Sequence, residues 1–468
     1  MREPGLYEKL IARQIVEDAY EINKLCMVIT MNNLFTRTSI VAFCFLILSG
    51  NVLGEDWLRF RGPNGSGVSA KTKELVTEFG DDKNVKWKAE LPGSGASSPI
   101  VVGDKIFVTC YSGYGESRQN IGEMENLKRH LVCVNRKDGK ILWARNFEPF
   151  LPEDQFAGMG VPEHGYSSST PVSDGKHVFV FFGKSGVFAY DLEGNEVWKK
   201  SVGTASGSRK WGSAASPIIA NGVLIVIASD EDEAIYGLDP ASGEELWKTK
   251  SADVANVWNS PIVSGENDET QVLISVPKKV WAVDPKTGKL EWFATNGVDA
   301  PSVSTGLVMD GDTVIAMGGR TRTCTALKTD GKDDVTETHT VWTGRAVSSI
   351  VTPVAYEGHL YCIARGIASC VDAKTGETVF QERLSTAAPA PRRRGPGGMD
   401  YSSPVLAAGK IYQFTKSGTC FVIEAKPEFK LLATNKFESD KSEFNGTPAI
   451  SEGEMFVRSN EFLYSIGK

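Results

Sequence analysis

Histidine is scarce in this chain, and the common catalytic and metal-binding motifs are missing. The 468 residues include 5 histidines, scattered singly, and contain no Gly-x-Ser-x-Gly, no His-Glu-x-x-His, no Cys-x-x-Cys and no phosphate-binding glycine loop. Enzymes recognised by these motifs, and zinc sites built from ligands close in sequence, are therefore not indicated. No metal ligands are predicted.

The chain also lacks an excess of positive charge. Its net charge is -7 and its pI is near 5.5, without large blocks of one sign. Nucleic acids and anionic membrane surfaces bind basic patches, so neither is an expected partner. The 41% apolar content, with 47 glycines and 10 tryptophans, predicts a soluble monomer with a large core and many turns.

A long apolar run is missing as well. The most apolar stretch, residues 40–48, is about half as long as the roughly 20 residues that span a bilayer, so a membrane anchor is not expected. It follows Arg37 and precedes small residues before Glu55, as in an export signal. The predicted division is an upstream extension at 1–30, a signal peptide at 31–54, and a single periplasmic or extracellular domain at 55–468.

Two interpretations are open for the cysteines of the mature chain, which an exported protein could oxidise. Cys362 and Cys370 flank a short turn and could pair across adjacent strands. Alternatively, the cysteines are buried small residues, because Cys133 and Cys370 occupy a repeat position where another copy has Ala282. The second interpretation has more support, since spacing alone does not establish disulfide geometry. The mature cysteines are Cys110, Cys133, Cys324, Cys362, Cys370 and Cys420.

Two short patterns recur along the chain. The first is an Asp-Thr-Gly turn that leads to a tryptophan, and the second is Ser-Pro or Thr-Pro after small residues. The first occurs as DPKTGKLEW (284–292), with variants at 135–143, 191–198, 239–247 and 372–380. The second occurs at Ser98, Thr170, Ser216, Ser260, Thr352, Ser403 and Thr447, with Thr305-Gly306 in the one long gap. Their spacing indicates eight copies of one unit.

Each copy is typical of four antiparallel strands separated by glycine turns. One such sheet cannot bury both faces, so the copies are predicted to form an all-β, eight-bladed β-propeller, with the Ser/Thr-Pro strand innermost and the tryptophan between blades. The eighth copy ends after three strands. NVKWKAEL (84–91) is predicted to supply its fourth strand, with Trp87, and to close the ring.

The residues just before the Ser/Thr-Pro positions should surround one mouth of the central funnel. They bring aromatic, charged and amide groups together from six blades, which is the usual composition of a ligand site. The alternative is that they fill the grooves between blades. The predicted binding residues are His164, Tyr166, Trp211, Trp258, Asn259, Arg345, Asp400, Tyr401 and Asn445.

Three further segments have two possible interpretations each. The acidic run at 230–233 could attract calcium, but a solvated turn is expected. The insertions at 111–129 and 147–165 could carry specificity, because binding residues accumulate on loops of rigid scaffolds. The Pro- and Gly-rich stretch 388–398, with three arginines, is predicted to be a solvated loop, with docking of an acidic partner as the alternative.

AVDPKTGKLEW (282–292) and DWLRFRGPNGSGVS (56–69) resemble the PQQ-like, quinoprotein-dehydrogenase-like β-propeller repeat family and its secreted bacterial members, and the resemblance covers 55–468. That family includes quinone-dependent alcohol and sugar dehydrogenases and the lipoprotein subunit of the outer-membrane β-barrel assembly machinery. The dehydrogenases imply PQQ with Ca2+: Trp211 or Trp258 would stack on it, Arg345 would pair with it, and Asp400 would be the catalytic base. They commonly carry two adjacent cysteines, however, and this chain has none.

The expected function is therefore that of an exported binding or scaffolding module, for which no cofactor is required. Its partner would be a protein, or a polar small molecule or glycan, at the central funnel. Two alternatives remain: a PQQ-dependent oxidoreductase of the alcohol or sugar dehydrogenase type, and an envelope subunit that assists outer-membrane protein assembly.

Overall fold

The computed structural model describes residues 56–298, 305–318, 322–345, 347–348, 350–384 and 400–468. The segments at 1–30, 31–54 and 388–398 lie outside the described residues. The described chain forms eight sheets, each with four antiparallel strands, and in seven of them these four strands are successive strands of one blade; this confirms the eight-bladed β-propeller. No helix among these residues is long and apolar enough to cross a bilayer.

In every blade except the eighth, the strands run in chain order from the axis outward; the outermost strand of the eighth comes from the N-terminal part of the propeller. In the first four blades they are Ile100–Val102, Lys105–Ser112, Lys128–Asn135 and Ile141–Phe147; Val172–Ser173, His177–Phe181, Val187–Asp191 and Glu196–Lys200; Ile218–Ala220, Val223–Ala228, Ala234–Leu238 and Glu245–Lys250; and Ile262–Ser264, Gln271–Val276, Lys279–Val283 and Leu290–Thr295. In the last four they are Val308–Asp310, Thr313–Gly318, Thr323–Lys328 and Thr340–Arg345; Val354–Tyr356, His359–Ala364, Ile367–Asp372 and Thr378–Arg383; Val405–Ala407, Lys410–Phe414, Thr419–Glu424 and Leu431–Lys436; and Ala449–Ser451, Glu454–Arg458, Phe462–Ile466 and Val85–Glu90.

Short elements supplement the blades. Two-residue strands pair in parallel with the inner edge of blade 7 and the outer edge of blade 4; they are Val68–Ser69 and Asp333–Asp334. The helical segments are single turns: Pro63–Gly65, Met124–Asn126, Val161–His164, Gly183–Ser185, Ser229–Asp232, Ala252–Val254, Asn267–Glu269 and Thr336–His339.

The N-terminal strand closes the ring, as predicted. Val85–Glu90 pairs antiparallel with Phe462–Ile466, so the first strand of the propeller is the outermost strand of blade 8. Trp87 on this strand donates its indole N–H to the carbonyl of Arg136 in blade 1, at 2.8 Å. Backbone pairing and a side-chain contact therefore join the two ends of the ring.

The tryptophan of one blade packs on the Asp-Thr-Gly turn of the next. In blade 3, Trp247 is 9% exposed and donates to the carbonyl of Pro285 in blade 4 at 2.9 Å, beside Gly288. Gly288 has φ +69°, and a Cβ there would collide with the indole ring of Trp247. The same contact recurs at Trp87, Trp143, Trp198 and Trp342. The repeated motif is therefore both a turn and the docking site for the preceding blade.

A ring of hydrogen bonds joins the innermost strands. Each strand begins two residues after a Ser or Thr whose hydroxyl oxygen accepts the backbone N–H of the equivalent residue in the preceding blade, at 2.9 to 3.1 Å. We call these residues the hydroxyl ring: Ser98, Thr170, Ser216, Ser260, Thr352, Ser403 and Thr447. The Ser/Thr-Pro positions are therefore hydrogen-bonding positions, beyond the predicted need for small side chains near the axis.

Blade 5 interrupts the hydroxyl ring. Its inner strand begins at Val308, and Gly306 donates its N–H to Thr352 at 2.9 Å, so Gly306 occupies the ring position. The prediction that placed Thr305 there is corrected by one residue. Because glycine has no hydroxyl to accept the N–H of Ser260, the described residues link all neighbouring blades in this way except blades 4 and 5.

Residues 56–69 cross the propeller axis, and we call them the plug. Leu58 accepts the N–H of Ser173 in blade 2 at 2.9 Å, Arg59 donates to the carbonyl of Pro261 in blade 4 at 2.5 Å, and Arg61 donates to that of Pro353 in blade 6 at 2.7 Å. Burial lowers the pKa of Arg59 to about 10 and that of Arg61 to about 9. The plug partners lie at or after the Ser/Thr-Pro positions, so the plug closes the channel on the side opposite to the mouth.

The hydrophobic core is divided among the interfaces between neighbouring blades. The cysteines after Glu55 are all free and buried within these sheets. Cys362 lies opposite Ser369 and Cys370 opposite Tyr361, so the two thiols are not cross-strand partners. The structure supports the interpretation of the cysteines as small core residues.

Candidate ligand-binding site

A cavity of about 290 Å³ lies on the propeller axis, and we call it the axial cavity. All members of the hydroxyl ring line it, and Phe60 of the plug lies against it. Its wall is mainly apolar. Because the plug closes one end, the axial cavity opens toward the residues that precede the Ser/Thr-Pro positions.

An aromatic pair forms one wall of the axial cavity. Trp211 and Trp258, from blades 3 and 4, stack with ring centroids 5.0 Å apart and an interplanar angle of 27°. The indole N–H of Trp258 donates to the carbonyl of Gly212 at 2.8 Å. Gly160 lies so close to Trp211 that a Cβ there would collide with the indole ring. These contacts hold both indoles in place beside the cavity.

His164 lines the axial cavity as a neutral imidazole. Its Nε2 lies 2.9 Å from the carbonyl oxygen of Trp211, so Nε2 carries the proton and donates it, while Nδ1 lies 2.6 Å from the hydroxyl of Ser168. Burial lowers the pKa of His164 to about 4. The imidazole therefore contributes no positive charge near neutral pH.

Glu163 is the carboxylate of the lining, and two cations neutralise it. Its oxygens lie 3.0 Å from Arg118 and 3.0 Å from Lys416. Both ion pairs are made within the protein, so the carboxylate is already compensated. With His164 neutral, the described lining has no uncompensated charge.

Two amide side chains in the lining have an oxygen without a partner. Asn259 donates through Nδ2 to the carbonyl of Ser275 at 2.6 Å, and Asn445 donates through Nδ2 to Glu443 at 3.3 Å. Oδ1 of each is buried and accepts no hydrogen bond in the protein. Buried polar atoms are normally paired, so these two oxygens are unsatisfied acceptors in side chains that line the axial cavity.

The structure brings six of the predicted binding residues together. His164, Trp211, Trp258, Asn259, Tyr401 and Asn445 all line the axial cavity. Sequence reasoning missed Phe60, Met159 and Glu163, which also line it. The hydroxyl ring was visible in the sequence but was interpreted only as a set of small residues.

Three predicted residues lie elsewhere. Tyr166 packs against Tyr111, and its hydroxyl donates to the carbonyl of Asp154 at 2.6 Å. Arg345 ends the outermost strand of blade 5 and is exposed, because the chain needs several more residues to return to the axis. Asp400 lines an adjoining cavity of about 50 Å³, which shares Ile350 with the axial cavity, and accepts the N–H of Lys416 at 3.0 Å. These three predicted residues therefore do not line the axial cavity.

The two insertions pack on each other beside the mouth, and we call residues 113–127 and 148–165 the cap. Tyr114 and Phe156 share a small hydrophobic cluster with Tyr166. A buried ion pair between Arg129 and Glu153, at 2.7 Å, ties the second insertion to blade 1. The cap therefore has its own core, and it positions Met159, Glu163 and His164 at the axial cavity.

The acidic run at 230–233 differs from the predicted solvated turn. Asp230 and Glu231 are each 4% exposed, and both oxygens of Asp230 lack a partner. Burial raises the pKa of Asp230 to about 7, with Asp154 raising it further and Lys184 opposing the shift. Burial raises the pKa of Glu231 to about 8. Among the described residues, no group of three His, Cys, Asp or Glu is arranged to hold a metal ion.

The described lining does not suit PQQ. A flat tricarboxylate needs cationic partners, yet no described residue that lines the axial cavity is Arg or Lys. Arg345 and Asp400, the proposed partner and base, lie elsewhere, and Glu163 is already paired. The described residues thus supply neither the opposing charge nor the carboxylates for a calcium ion beside the quinone.

Eight radial sheets, tryptophans docked on the turns of neighbouring blades and an axial cavity define an eight-bladed propeller of the PQQ-like class. A family model described as outer membrane protein assembly factor BamB matches residues 127–382, and the chain belongs to this family. BamB from Moraxella catarrhalis has a TM-score of 0.51 and 14% identity, over 84% of this chain and 99% of its own. Quinohemoprotein alcohol dehydrogenase from Comamonas testosteroni has a TM-score of 0.60 and 10% identity, over 88% and 80%. At these identities the likeness shows the fold alone.

Two curated relatives are more similar in sequence. Tetrathionate hydrolase of Acidithiobacillus ferrooxidans is 22% identical over 379 residues, 74% of this chain and 66% of its own length. Polyvinylalcohol dehydrogenase of Pseudomonas sp is 23% identical over 255 residues, 45% of this chain and 35% of its own. The chain thus spans less than two thirds of each relative.

Proposed function

We propose that this chain is an exported binding protein that holds a small molecule in the axial cavity. The observation that carries the proposal is a site closed by the plug, lined by Trp211 and Trp258, in which Asn259 and Asn445 each keep a buried, unpartnered oxygen. Concave, mainly apolar sites with a few convergent polar atoms are typical of small-molecule binding.

Export is part of the proposal. The apolar stretch in 31–54 resembles a signal peptide, and the family description places a family member at the outer membrane. Amino-terminal sequencing of the protein purified from an envelope fraction should begin at Glu55. A mature protein that retains residues 31–54 would contradict this step.

A grouped ligand screen tests the binding function. Small molecules below about 400 Da, sorted into anions, cations, neutral polyols and neutral aromatics, would be titrated against intrinsic tryptophan fluorescence, with PQQ plus Ca2+ as a separate sample. At least one group should bind saturably to the wild type and lose binding in Trp258→Ala. Trp143→Ala, which alters a tryptophan between blades 1 and 2, is the matched control and should retain binding.

Two results would overturn the proposal. One is saturable binding that survives in Trp258→Ala with unchanged affinity. The other is the absence of binding in every group. Binding of PQQ with Ca2+ and dye reduction with alcohols or sugars would instead support the oxidoreductase alternative.

A protein partner is the second candidate, and the cap favours it. Ile121, Phe150, Leu151 and Met159 expose between 39% and 55% of their surfaces on the two insertions. Large apolar side chains exposed on a protein surface are typical of docking surfaces when they form a patch. Co-purification of the intact chain with an outer-membrane assembly complex, lost in Phe150→Ser with Leu151→Ser, would support this role; isolation as a lone chain from envelope extracts would contradict it.

A further inference from the structure

We propose that the ligand of the axial cavity is a neutral carbohydrate of one or two rings. This inference rests on the proposed binding function and specifies its ligand class. Three properties of the lining support it: its charge, its pattern of hydrogen-bond donors and acceptors, and its aromatic surface.

The charge of the lining favours a neutral ligand. Glu163 is paired with Arg118 and Lys416, and His164 is uncharged because burial lowers its pKa. An anionic ligand would leave its charge without a cation in a partly desolvated site, and a cationic ligand would compete with two existing ion pairs. A neutral ligand avoids both penalties.

The lining of the axial cavity contains two unsatisfied acceptors. Oδ1 of Asn259 and Oδ1 of Asn445 have no partner in the protein, and these two side chains are 2% and 7% exposed. Because both oxygens are buried, each amide must turn toward the cavity to reach a ligand. A ligand with O–H groups then satisfies both oxygens, whereas a ligand that only accepts hydrogen bonds leaves them unpaired.

The hydroxyl ring offers donors deeper along the axis. Each of its oxygens accepts a backbone N–H from the preceding blade, which leaves the hydroxyl hydrogen free of that bond. A hydroxyl donates one hydrogen and accepts through two lone pairs, so each member can still donate once and accept once. Sugar hydroxyls also donate and accept hydrogen bonds. They therefore match a site that contains amide acceptors and a ring of hydroxyls that can donate and accept.

The aromatic wall and the volume of the axial cavity also fit a small carbohydrate. Trp211, Trp258 and Tyr401 present apolar surface on which the C–H face of a sugar ring can pack, while the polar edge of the ring faces the amides. The volume of about 290 Å³ is near the lower limit of sites that hold drug-sized molecules, about 300 Å³. One or two rings fit this volume.

Matched ligands test the charge requirement without altering the protein. Glucose, glucuronate and glucosamine differ mainly in charge, and calorimetric titration of each into the intact mature chain should show binding of glucose at least about tenfold tighter than binding of its anionic and cationic analogues. Maltose and maltohexaose distinguish a site for free short sugars from a site for the end of a longer glycan. Equal affinity for the two sugars indicates that the site binds a chain end.

Asn445→Leu tests the acceptor. The substitution removes the unpartnered oxygen and only a long, 3.3 Å bond to Glu443, and it should weaken sugar binding about tenfold. Asn195→Leu, at an exposed turn of blade 2, is the matched control and should bind as the wild type does. Asn445→Gln, which restores an amide, gives a second variant if the leucine variant does not fold.

The outcomes separate this inference from the function on which it rests. Glucuronate or glucosamine binding as tightly as glucose would overturn the carbohydrate inference, as would wild-type affinity in Asn445→Leu. If no neutral sugar binds while another group in the screen does, the inference fails and the binding function stands. If nothing binds, both fail.

Discussion

The hydroxyl ring should make a measurable contribution to stability, and two adjacent serines allow a controlled test. Ser403 accepts the N–H of Thr352 at 3.1 Å, and both residues are buried. Ser402, its neighbour, is 0% exposed, and its hydroxyl has no hydrogen-bond partner. The two side chains have the same size and similar burial, but only Ser403 joins two blades.

The two alanine variants should differ in their free energy of unfolding. Ser403→Ala leaves the N–H of Thr352 buried without a partner, which should lower the free energy of unfolding by about 1–3 kcal/mol. Ser402→Ala removes a buried, unpaired hydroxyl and should change stability by less than about 0.5 kcal/mol or increase it.

Urea denaturation followed by tryptophan fluorescence would compare the two variants, with hydrogen exchange of the peptide that contains Thr352 as a local measurement. Faster exchange is expected in Ser403→Ala alone. Equal loss of stability in both variants, or unchanged exchange at Thr352 in Ser403→Ala, would refute the assignment of a structural role to the ring.

Three other perturbations test the fold. Trp247→Ala should lower the free energy of unfolding by about 3–5 kcal/mol in urea titration, because it empties the contact with the next blade, while the exposed Leu246→Ala should change it by less than about 0.5 kcal/mol. The folded pKa values of Asp230 and Glu231 lie above their unfolded values, so the folded state binds more protons and stability should fall as the pH rises from about 4 to about 8; Asp230→Asn with Glu231→Gln should flatten that slope in denaturation at pH 5 and pH 8.5. Arg61→Met leaves buried carbonyls of blade 6 without donors and should cost about 2 kcal/mol or more, detected as a lower thermal midpoint; an unchanged midpoint would contradict the role of the plug.

The propeller could be predicted because its determinants are local and repeated. The Asp-Thr-Gly turn, the tryptophan and the Ser/Thr-Pro pair recur in each unit, and the missing fourth strand of the last unit matches the extra strand that contains Trp87. The choice of Ser or Thr over Ala at the inner strand was a further signal, which only the register of hydrogen bonds made interpretable. The same register distinguishes Gly306 from Thr305.

The plug and the buried acids could not be predicted, because their partners are distant in sequence. Arg59 and Arg61 donate to carbonyls about 200 and about 290 residues away, and no local pattern indicates such pairs. Asp230 and Glu231 belong to a charged run of a kind that is usually solvated, but Gly207 lies against Asp230, and Ser213 donates a hydrogen bond to Glu231. Arg345 was misplaced because distance to the Ser/Thr-Pro pair along the chain was taken as proximity to the axis.

Among the described residues, Gly306 leaves the hydroxyl ring open between blades 4 and 5. A closed ring of hydrogen bonds widens only if all of its bonds lengthen together. An open ring can widen at its gap while the existing hydrogen bonds keep their lengths. That gap separates blades 4 and 5, and Asn259 immediately precedes the serine on one side of it. At this position the hydrophobic packing between blades 4 and 5, rather than a hydrogen bond of the ring, would resist widening of the axial cavity by a large ligand, beside one of the two amides proposed to hold it.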